Sequence, residues 1–317
     1  MQHFSYRGCF KPELPRRYIE RFTQPLDVVY DPFVGRGTTL LEATSMGRIG
    51  WGSDINALSV RLIEPRFTIW KLRIPDLTFT GPLPSDLLEF FHPDTLREIM
   101  AVRERGDEWV KLLTASKLTG HSSGYLSVYT LPPNQAVTAA AQRRMNEKRG
   151  QHPTYRSLRD AVTSRHTDYL GPALNGRVWT CDASQTGLQE CSVDLIIITS
   201  PPFLGVIDYA QDNWLRNWFF DIAVVIPDLS DTLVWSLKMR QVLREMFRVL
   251  KPSKHLCFEV GDIKKINLES IIISLGKTIG FEFVSLEIDD TPFNRTADIW
   301  STGGTKTNRV CIFRKPS

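Results

Sequence analysis

The sequence predicts an α/β fold with a mostly parallel sheet, and three observations lead to this prediction. A β-prone run at 28–30 meets a Gly-rich turn and then a helix-prone run, which is the order that opens a nucleotide-binding α/β unit. A nearly continuous β-branched run at 193–198 is typical of a strand buried on both faces of a parallel sheet. The segments 281–288 and 309–313 have the pattern of a terminal strand pair.

The other elements are predicted in chain order from the same patterns. After the helix-prone residues 40–43, a second strand at 49–53 ends on Asp54, and helical patterns follow around 94–113. A third strand is predicted at 177–182. Pro201 and Pro202 end the strand at 193–198, because proline fits neither a helix interior nor a sheet ladder. The predicted elements after them are helices at 212–225 and 231–250 and a strand at 255–260.

Length and composition predict a single catalytic core with one interruption. The chain has 317 residues, of which 42% are hydrophobic and 23% charged, as in an ordinary globular protein that buries a full core. This length suits one large domain or one domain with a sizeable insertion. Because the α/β pattern lapses once, we expect a core of 1–65 and 177–317, with 66–176 as a mainly helical insertion.

Positive charge is concentrated in this insertion. The whole chain has 39 Lys and Arg against 35 Asp and Glu, a formal net charge of +4. Within 121–166, seven basic residues stand against two acidic ones, and tyrosines are interleaved with the basic residues. This pattern favours phosphate contacts, although a solvated helix face has the same composition. The candidate residues for such phosphate contacts are Arg143, Arg144, Lys148, Arg149 and Arg156.

The cysteines indicate neither a metal site nor a disulfide framework. The chain has five, at positions 9, 181, 191, 257 and 311, and none has the spacing of a zinc site. We expect reduced thiols, no metal and a cytoplasmic location. The longest apolar runs have the length of a strand, and prolines and basic residues interrupt the first 17 residues, so neither a transmembrane helix nor a secretory signal is expected.

The residues at the predicted strand ends favour a ligand with several hydrogen-bond donors. Gly35 and Gly37 have no Cβ, so backbone amides can approach a ligand closely, but the turn lacks the lysine of a phosphate-binding loop. Asp31 suits an ammonium group, and Asp54 is placed to accept from ribose hydroxyls. An adenosyl ligand with an amino-acid tail meets both demands. Asp182 suits an adenine amino group or, alternatively, caps a turn.

A second candidate site lies at 199–203. Two prolines fix φ there, so that the carbonyls of Ser200 and Pro201 are held as acceptors. Phe203 offers a ring face on which a planar base can stack. This cluster suits an exocyclic amino group of a nucleobase, and an ordinary strand-ending turn is the alternative.

Three segments together resemble the amino-group branch of the S-adenosylmethionine-dependent DNA methyltransferases. Residues 31–39 (DPFVGRGTT) are similar to the family's cofactor motif, 200–203 (SPPF) to its catalytic tetrapeptide, and 3–14 (HFSYRGCFKPEL) to the segment that closes over the methionine end of the cofactor. The resemblance covers 3–64 and 177 to about 315. It implies a Rossmann-like class I methyltransferase core, with a mixed, mostly parallel seven-stranded sheet, and S-adenosyl-L-methionine as the cofactor.

The resemblance also implies which residues form the site. The catalytic residues would be Ser200, Pro201, Pro202 and Phe203. The cofactor-binding residues would be Tyr6, Phe10, Asp31, Pro32, Phe33, Gly35, Gly37, Thr38, Thr39, Asp54, Ile55, Asp182, Ala183 and Ser200.

The first residue of the tetrapeptide bears on the target base. Family members with Ser there mostly methylate cytosine N4, and those with Asp or Asn mostly methylate adenine N6, so Ser200 favours cytosine N4. Adenine N6 and RNA amino groups are alternatives, and a catalytically silent nucleic-acid-binding subunit is an alternative of another class. Cytosine C5 methylation needs a Pro-Cys nucleophile, and none of the five cysteines follows a proline.

The expected partner is double-stranded DNA. The family usually places its target-recognition region beside the catalytic tetrapeptide, whereas the large non-core segment of this chain is 66–176, and we assign recognition to that segment. A cognate restriction endonuclease is a possible further partner, and the sequence does not select between a monomer and a homodimer. In the cytoplasm we expect association with the nucleoid through DNA.

Overall fold

The computed structural model describes residues 12–120, 122–130, 137–168, 173–198, 201, 212–223, 227–261, 266–289 and 308–317, which form two compact units. The larger unit comprises the described parts of Gly8–Phe67, Leu174–Asp208 and Ile226–Ser317. The smaller comprises those of Thr68–Ala173 and Tyr209–Val225. The sequence placed 209–225 in the core, but Trp214 packs edge-on against Phe90 of the smaller unit, with ring centroids 5.8 Å apart.

The described secondary structure consists of seven strands and ten α-helices, divided between the two units. The strands, all in the larger unit, are β1 (Val28–Asp31), β2 (Ile49–Asp54), β3 (Gly176–Thr180), β4 (Val193–Ile198), β5 (Leu250–Gly261), β6 (Glu282–Asp289) and β7 (Asn308–Arg314). The α-helices are α1 (Glu13–Phe22), α2 (Thr38–Ser45), α3 (Leu58–Ile63), α4 (Pro93–Arg105), α5 (Glu108–Ala115), α6 (Ala139–Arg149), α7 (Leu158–Asp168), α8 (Trp214–Phe220), α9 (Thr232–Val249) and α10 (Leu268–Ile279). Helices α4 to α8 belong to the smaller unit.

The seven strands form one sheet in the order β3-β2-β1-β4-β5-β7-β6. Strands β1 to β5 pair in parallel, whereas β7 is antiparallel to both β5 and β6. The prediction of a mixed, mostly parallel seven-stranded sheet in a Rossmann-like α/β core is therefore confirmed. The order reverses between β1 and β4, which is the switch point where open α/β sheets bind ligands at their carboxyl edge.

Helices cover both faces of the sheet, and alternate residues of each central strand pack into the core clusters on opposite faces. Leu195 and Ile197 of β4 lie in a core cluster with residues of α1 and α2, whereas Ile196 lies in the cluster with α9. In β1, Val29 and Tyr30 divide in the same way. This double burial explains the uninterrupted β-branched run at 193–198.

Three predicted boundaries differ from those in the structure. Strand β5 begins at Leu250 rather than at the predicted 255, because a bulge accommodates Pro252 and puts Ser253 at φ +62°. The predicted helix at 212–225 is shorter, because Asp221 ends α8 in the left-handed conformation. The helical stretch at 94–113 is two helices, since Asp107 starts α5 by accepting from Val110 N.

Other sequence expectations concern thiols, membranes and metals. Cys181, Cys191, Cys257 and Cys311 are free, and burial raises the pKa of Cys311 to about 12, which disfavours the reactive thiolate form. Cys9 lies outside the described residues. No helix in the described part of the chain has the length and hydropathy to cross a bilayer. The described residues also contain no group of three or more His, Cys, Asp and Glu side chains arranged to hold a metal ion.

Candidate functional site

The carboxyl edge of the sheet collects acidic side chains from neighbouring strands. Asp31 ends β1, Asp54 ends β2, and Asp182 follows β3 by two residues. Pairing of Asp54 with Thr180 places the ends of β2 and β3 level, and Cys181 N donates to the carbonyl of Asp54 at 3.1 Å. The sequence therefore predicted correctly that these carboxylates follow strands, and the sheet order makes them neighbours.

The Gly-rich turn is built around the carboxylate of Asp31. Its Oδ1 accepts from Phe33 N at 3.0 Å and its Oδ2 from the Thr39 hydroxyl at 2.6 Å, so one side chain joins both ends of the turn. Gly35 and Gly37 have φ of +49° and +87°, a region that L side chains rarely adopt. Only 1% of Asp31 is exposed, so in this structure the carboxylate braces the turn, and its expected contact with an ammonium group stays a prediction.

Asp54 ties this turn to the end of β2. Its Oδ2 accepts from Gly35 N at 3.0 Å, and its Oδ1 accepts from Asn56 N at 2.9 Å. Desolvation of the carboxylate raises the pKa of Asp54, although the two amide hydrogen bonds act in the opposite direction. Asn56 was not predicted as a site residue, yet its Oδ1 accepts from Leu58 N and so starts α3. Its position two residues after a strand-ending aspartate is the signal that could have identified it.

Asp182 has a different set of partners. Its Oδ1 accepts from the backbone N of Ser184 at 2.8 Å and from the Ser184 hydroxyl at 2.7 Å, which is the turn-capping role that the sequence left open. Its Oδ2 forms an ion pair with Lys238 at 2.5 Å. Burial acts to raise the pKa of Asp182, but the hydrogen bonds from Lys238 and Ser184 outweigh it, and the pKa lies below its ordinary value. No pattern in the sequence indicated a role for Lys238.

The other predicted cofactor residues surround these carboxylates where they are described. Pro32, Thr38, Thr39 and Ala183 are buried, Phe33 is partly buried, and 39% of Ile55 is exposed at the edge. In the tetrapeptide, Pro201 is described and buried. The predicted site residues Tyr6, Phe10, Ser200, Pro202 and Phe203 lie outside the described residues.

In the smaller unit, helix α6 carries four of the five predicted DNA-binding residues, and all four are exposed. The Arg143 guanidinium pairs with Glu89 at 2.7 Å, and that of Arg149 stacks on the Tyr129 ring at 3.9 Å. Arg144 and Lys148, one helical turn apart, have no partner among the described residues. Of the four predicted residues on α6, Arg144 and Lys148 are therefore the two most available to an anionic ligand.

Helix α6 is held by buried amides. Gln142 Nε2 donates to the Tyr129 carbonyl at 3.0 Å and to Asn146 Oδ1 at 2.8 Å. Gln151 Nε2 donates to the same two acceptors at 3.2 and 2.9 Å, which closes a ring of four hydrogen bonds. Asn146 Nδ2 donates to the Glu89 carbonyl at 2.8 Å. Because this network fixes the buried side of the helix, the cations on its other side are presented from a rigid element.

Arg156 does not fit its predicted role as a DNA contact. Its guanidinium donates to the carbonyls of Ser122, Tyr125 and Ser127, at 3.2, 2.6 and 2.5 Å. Desolvation lowers the pKa of this partly buried group. Arg156 therefore organises a loop of the smaller unit, a role that depends on carbonyls about 30 residues away and leaves no trace in the local sequence.

Comparison with known proteins finds sequence similarity over about a fifth of the chain. Residues 2–65 match the family N6_N4_Mtase, described as DNA methylase. The type II methyltransferase M.MjaII of Methanocaldococcus jannaschii is 34% identical over 71 residues, which are 22% of this chain and 13% of that protein. M.MjaI of the same organism is 37% identical over 67 residues, 21% of this chain and 22% of that protein. The chain thus spans less than a quarter of the length of either relative.

Solved structures give a weaker match over a longer range. A SAM-dependent methyltransferase from Methanosarcina mazei aligns over 94% of this chain and 96% of its own, with 13% identity and a TM-score of 0.43. A score at that level carries no conclusion about the site. The Gly-rich turn, Asp31 and Asp54 all lie within the residues 2–65 that match the DNA methylase family.

Proposed function

We propose that this protein is an S-adenosylmethionine-dependent DNA methyltransferase that transfers a methyl group to the exocyclic N4 amino group of cytosine. The observation that carries the proposal is the set of carboxylates at the ends of adjacent strands, around a turn whose residues match DNA methylases. The SPPF tetrapeptide directly after β4 supports the amino-group chemistry.

The donor and acceptor chemistry of this edge fits the cofactor. S-Adenosylmethionine presents an ammonium group, two ribose hydroxyls and an adenine amino group, all of which donate hydrogen bonds, and ionised carboxylates only accept. Asp54 would hold the ribose hydroxyls and Asp182 the adenine amino group, with Ile55 and Ala183 beside the adenine. The turn braced by Asp31 would receive the methionine end, which Tyr6 and Phe10 would cover.

The bound cofactor would supply a strongly electrophilic methyl group, so the chain's own task is to position the target amine. In the proposed mechanism the target cytosine is flipped out of the duplex and stacks on Phe203. Ser200 Oγ and the Pro201 carbonyl accept from its N4 amino group, which turns the nitrogen lone pair towards the methyl group as the new bond forms. The proton released from N4 passes to Ser200 or to solvent.

DNA binding is assigned to the smaller unit, through Arg144 and Lys148 on α6. Their exposure and their lack of described partners support this assignment over Arg156. We further propose a cytoplasmic protein that associates with the nucleoid through DNA. Partnership with a restriction endonuclease would follow from the type II methyltransferases that the chain resembles.

The tetrapeptide tests the proposal directly. Ser200→Ala and Phe203→Ala should lower the rate of methyl transfer to DNA by about 100-fold each, in variants shown still to bind S-adenosylhomocysteine. Ser192→Ala, whose hydroxyl donates to the Gln189 carbonyl at the other end of β4, is the matched control and should keep full activity. Wild-type rates in both tetrapeptide variants would refute the proposed site.

The target base is tested separately. Mass spectrometry of hydrolysed DNA from cells with and without the protein should find N4-methylcytosine only where the protein is present. N6-methyladenine in its place would favour the adenine alternative, and methylated RNA would favour the RNA alternative. A wild-type protein that binds cofactor but methylates no nucleic acid would favour a silent binding subunit.

A further inference from the structure

The turn that follows β3 leaves the Asp182 carboxylate with limited room for a ligand. A carboxylate offers about four acceptor positions on its two oxygens. Ser184 fills two of them on Oδ1, through its backbone N and its hydroxyl, and Lys238 Nζ fills one on Oδ2. With 34% of the Asp182 side chain exposed, one acceptor position on Oδ2 is left for a single donor hydrogen of a ligand.

Lys238 contacts two members of this turn at once. Its Nζ donates to Asp182 Oδ2 and, at 3.1 Å, to the Ser184 hydroxyl, which in turn donates to Asp182 Oδ1. The three side chains therefore form a closed triangle of hydrogen bonds. Rotation of the Asp182 carboxylate would break at least two of these bonds, so the orientation of Oδ2 depends on Lys238.

Lys238 projects from a rigid support. Trp235, Met239 and Val242 of α9 are completely buried in the core cluster that packs against the sheet. Farther along the same helix, Glu245 Oε1 accepts from Thr186 N at 3.0 Å, so α9 holds the chain after β3 at a second point. Helix α9 thus holds the Asp182 turn in place at the sheet edge.

We propose that Lys238 is a positioning residue for adenine recognition: it holds Asp182 so that the remaining acceptor position on Oδ2 receives the 6-amino group of the cofactor. This inference rests on the proposed function, because it takes the ligand of the edge to be an adenosyl compound. Lys238 does not contact the ligand in this arrangement and acts through Asp182 and Ser184.

A second lysine–aspartate pair in the same unit provides a matched control. Lys251 Nζ donates to both oxygens of Asp194 at 2.9 Å, and Asp194 Oδ2 also accepts from Val28 N. This pair lies at the amino ends of β1 and β4, away from the carboxyl edge. Loss of either lysine should lower stability, but only loss of Lys238 should change adenine recognition.

The test compares two probes by isothermal titration calorimetry. S-Adenosylhomocysteine presents the 6-amino donor, whereas S-inosylhomocysteine presents a carbonyl oxygen at the same position and cannot donate to a carboxylate. We expect the wild type to bind the adenosyl probe at least about tenfold more tightly. Lys238→Met should reduce this ratio to about twofold or less, and Lys238→Arg should restore most of it, since a guanidinium can donate to both Asp182 and Ser184. Lys251→Met should keep the wild-type ratio.

Ser184→Ala is a second variant, useful where Lys238→Met does not fold. It removes two sides of the triangle, the bonds of the Ser184 hydroxyl with Asp182 and with Lys238, and should also lower the ratio, though less, because the Lys238–Asp182 ion pair remains. If both variants keep the wild-type ratio, or if the wild type itself does not distinguish the probes, Lys238 has no positioning role, while tight binding of S-adenosylhomocysteine still supports the proposed function. If the wild type binds neither probe, the proposed function and this inference are both wrong.

Discussion

The carboxyl edge of the sheet and helix α6 both carry residues predicted to bind ligands, yet the two regions are built in opposite ways. At the edge, Asp31 and Asp54 accept hydrogen bonds from backbone amides, so the charged groups themselves shape the turn. On α6, buried amides such as Asn146 hold the helix while Arg144 and Lys148 face solvent. Substitutions should therefore change folding and binding together at the edge, and separately on α6.

The largest expected effect is that of Asp54→Ala. The change leaves Gly35 N and Asn56 N without their acceptor and removes the proposed ribose contact. We expect a loss of affinity for S-adenosylhomocysteine of about 100-fold, and a loss of about 1–3 kcal/mol in the free energy of unfolding. Calorimetry and urea denaturation measure the two effects.

The matched control for this change is Asp27→Ala. Asp27 also accepts from a backbone amide, that of Gln24, but it precedes β1 at the amino edge of the sheet. It should lose stability and keep cofactor affinity. Equal losses of affinity in both variants would mean that Asp54 acts only through folding.

On α6, Asn146→Leu should separate stability from binding. The substitution removes the acceptor shared by Gln142 and Gln151 and the donor to the Glu89 carbonyl. Both glutamines keep their hydrogen bond to the Tyr129 carbonyl but lose their second acceptor, and the Glu89 carbonyl loses its donor, which should destabilise the protein by about 2 kcal/mol. Glu147→Ala, at the exposed neighbouring position, should change stability by less than about 0.5 kcal/mol. A neutral Asn146→Leu in urea denaturation would show that the amide ring does not hold the helix.

The pH dependence of cofactor binding tests the proposed role of the Asp54 carboxylate at the sheet edge. Only the ionised Asp54 carboxylate accepts without donating, and desolvation raises its pKa, so protonation begins at a higher pH than for an ordinary aspartate. Below that pKa, affinity for S-adenosylhomocysteine should fall about tenfold per pH unit. Asp182, whose pKa is lowered, stays ionised in the same range. In Asp54→Asn this part of the dependence should be missing, and parallel wild-type and variant profiles would contradict the assignment.

The smallest expected effect is that of removing the two exposed cations of α6. The double change Arg144→Ala and Lys148→Ala should weaken DNA binding about fivefold and reduce the slope of log affinity against log salt by about 2, with unchanged stability. Arg156→Met should instead lower stability and leave DNA binding and its salt slope unchanged, because the Arg156 guanidinium binds three backbone carbonyls. An unchanged salt slope in the double variant would place the phosphate contacts elsewhere.

The sequence was informative where a role depends on nearby residues. Asp31 and Asp54 could be predicted as strand-ending carboxylates, because a β-prone run and a turn adjoin each of them. The seven-stranded sheet followed from the same local patterns and from the family resemblance. The bulge that admits Pro252 into β5 was missed, because it depends on pairing with a neighbouring strand rather than on the residues around it.

Roles that depend on distant partners could not be predicted. Lys238 meets Asp182 across 56 positions, and Arg156 meets the carbonyl of Tyr125 across 31. The local sequence does not distinguish a basic residue that faces solvent, as Lys148 does, from one that organises a loop, as Arg156 does. Only tertiary packing distinguishes the two.

The central claim is methyl transfer from S-adenosylmethionine to a DNA amino group, and it can be measured in one reaction. The purified protein is incubated with genomic DNA and the cofactor carrying a labelled methyl group, and the DNA is hydrolysed to nucleosides for mass spectrometry. We predict label in N4-methylcytosine, at an initial rate that is about 100-fold lower when Ser200→Ala replaces the wild type. A wild-type reaction that leaves every DNA base unlabelled would contradict the claim.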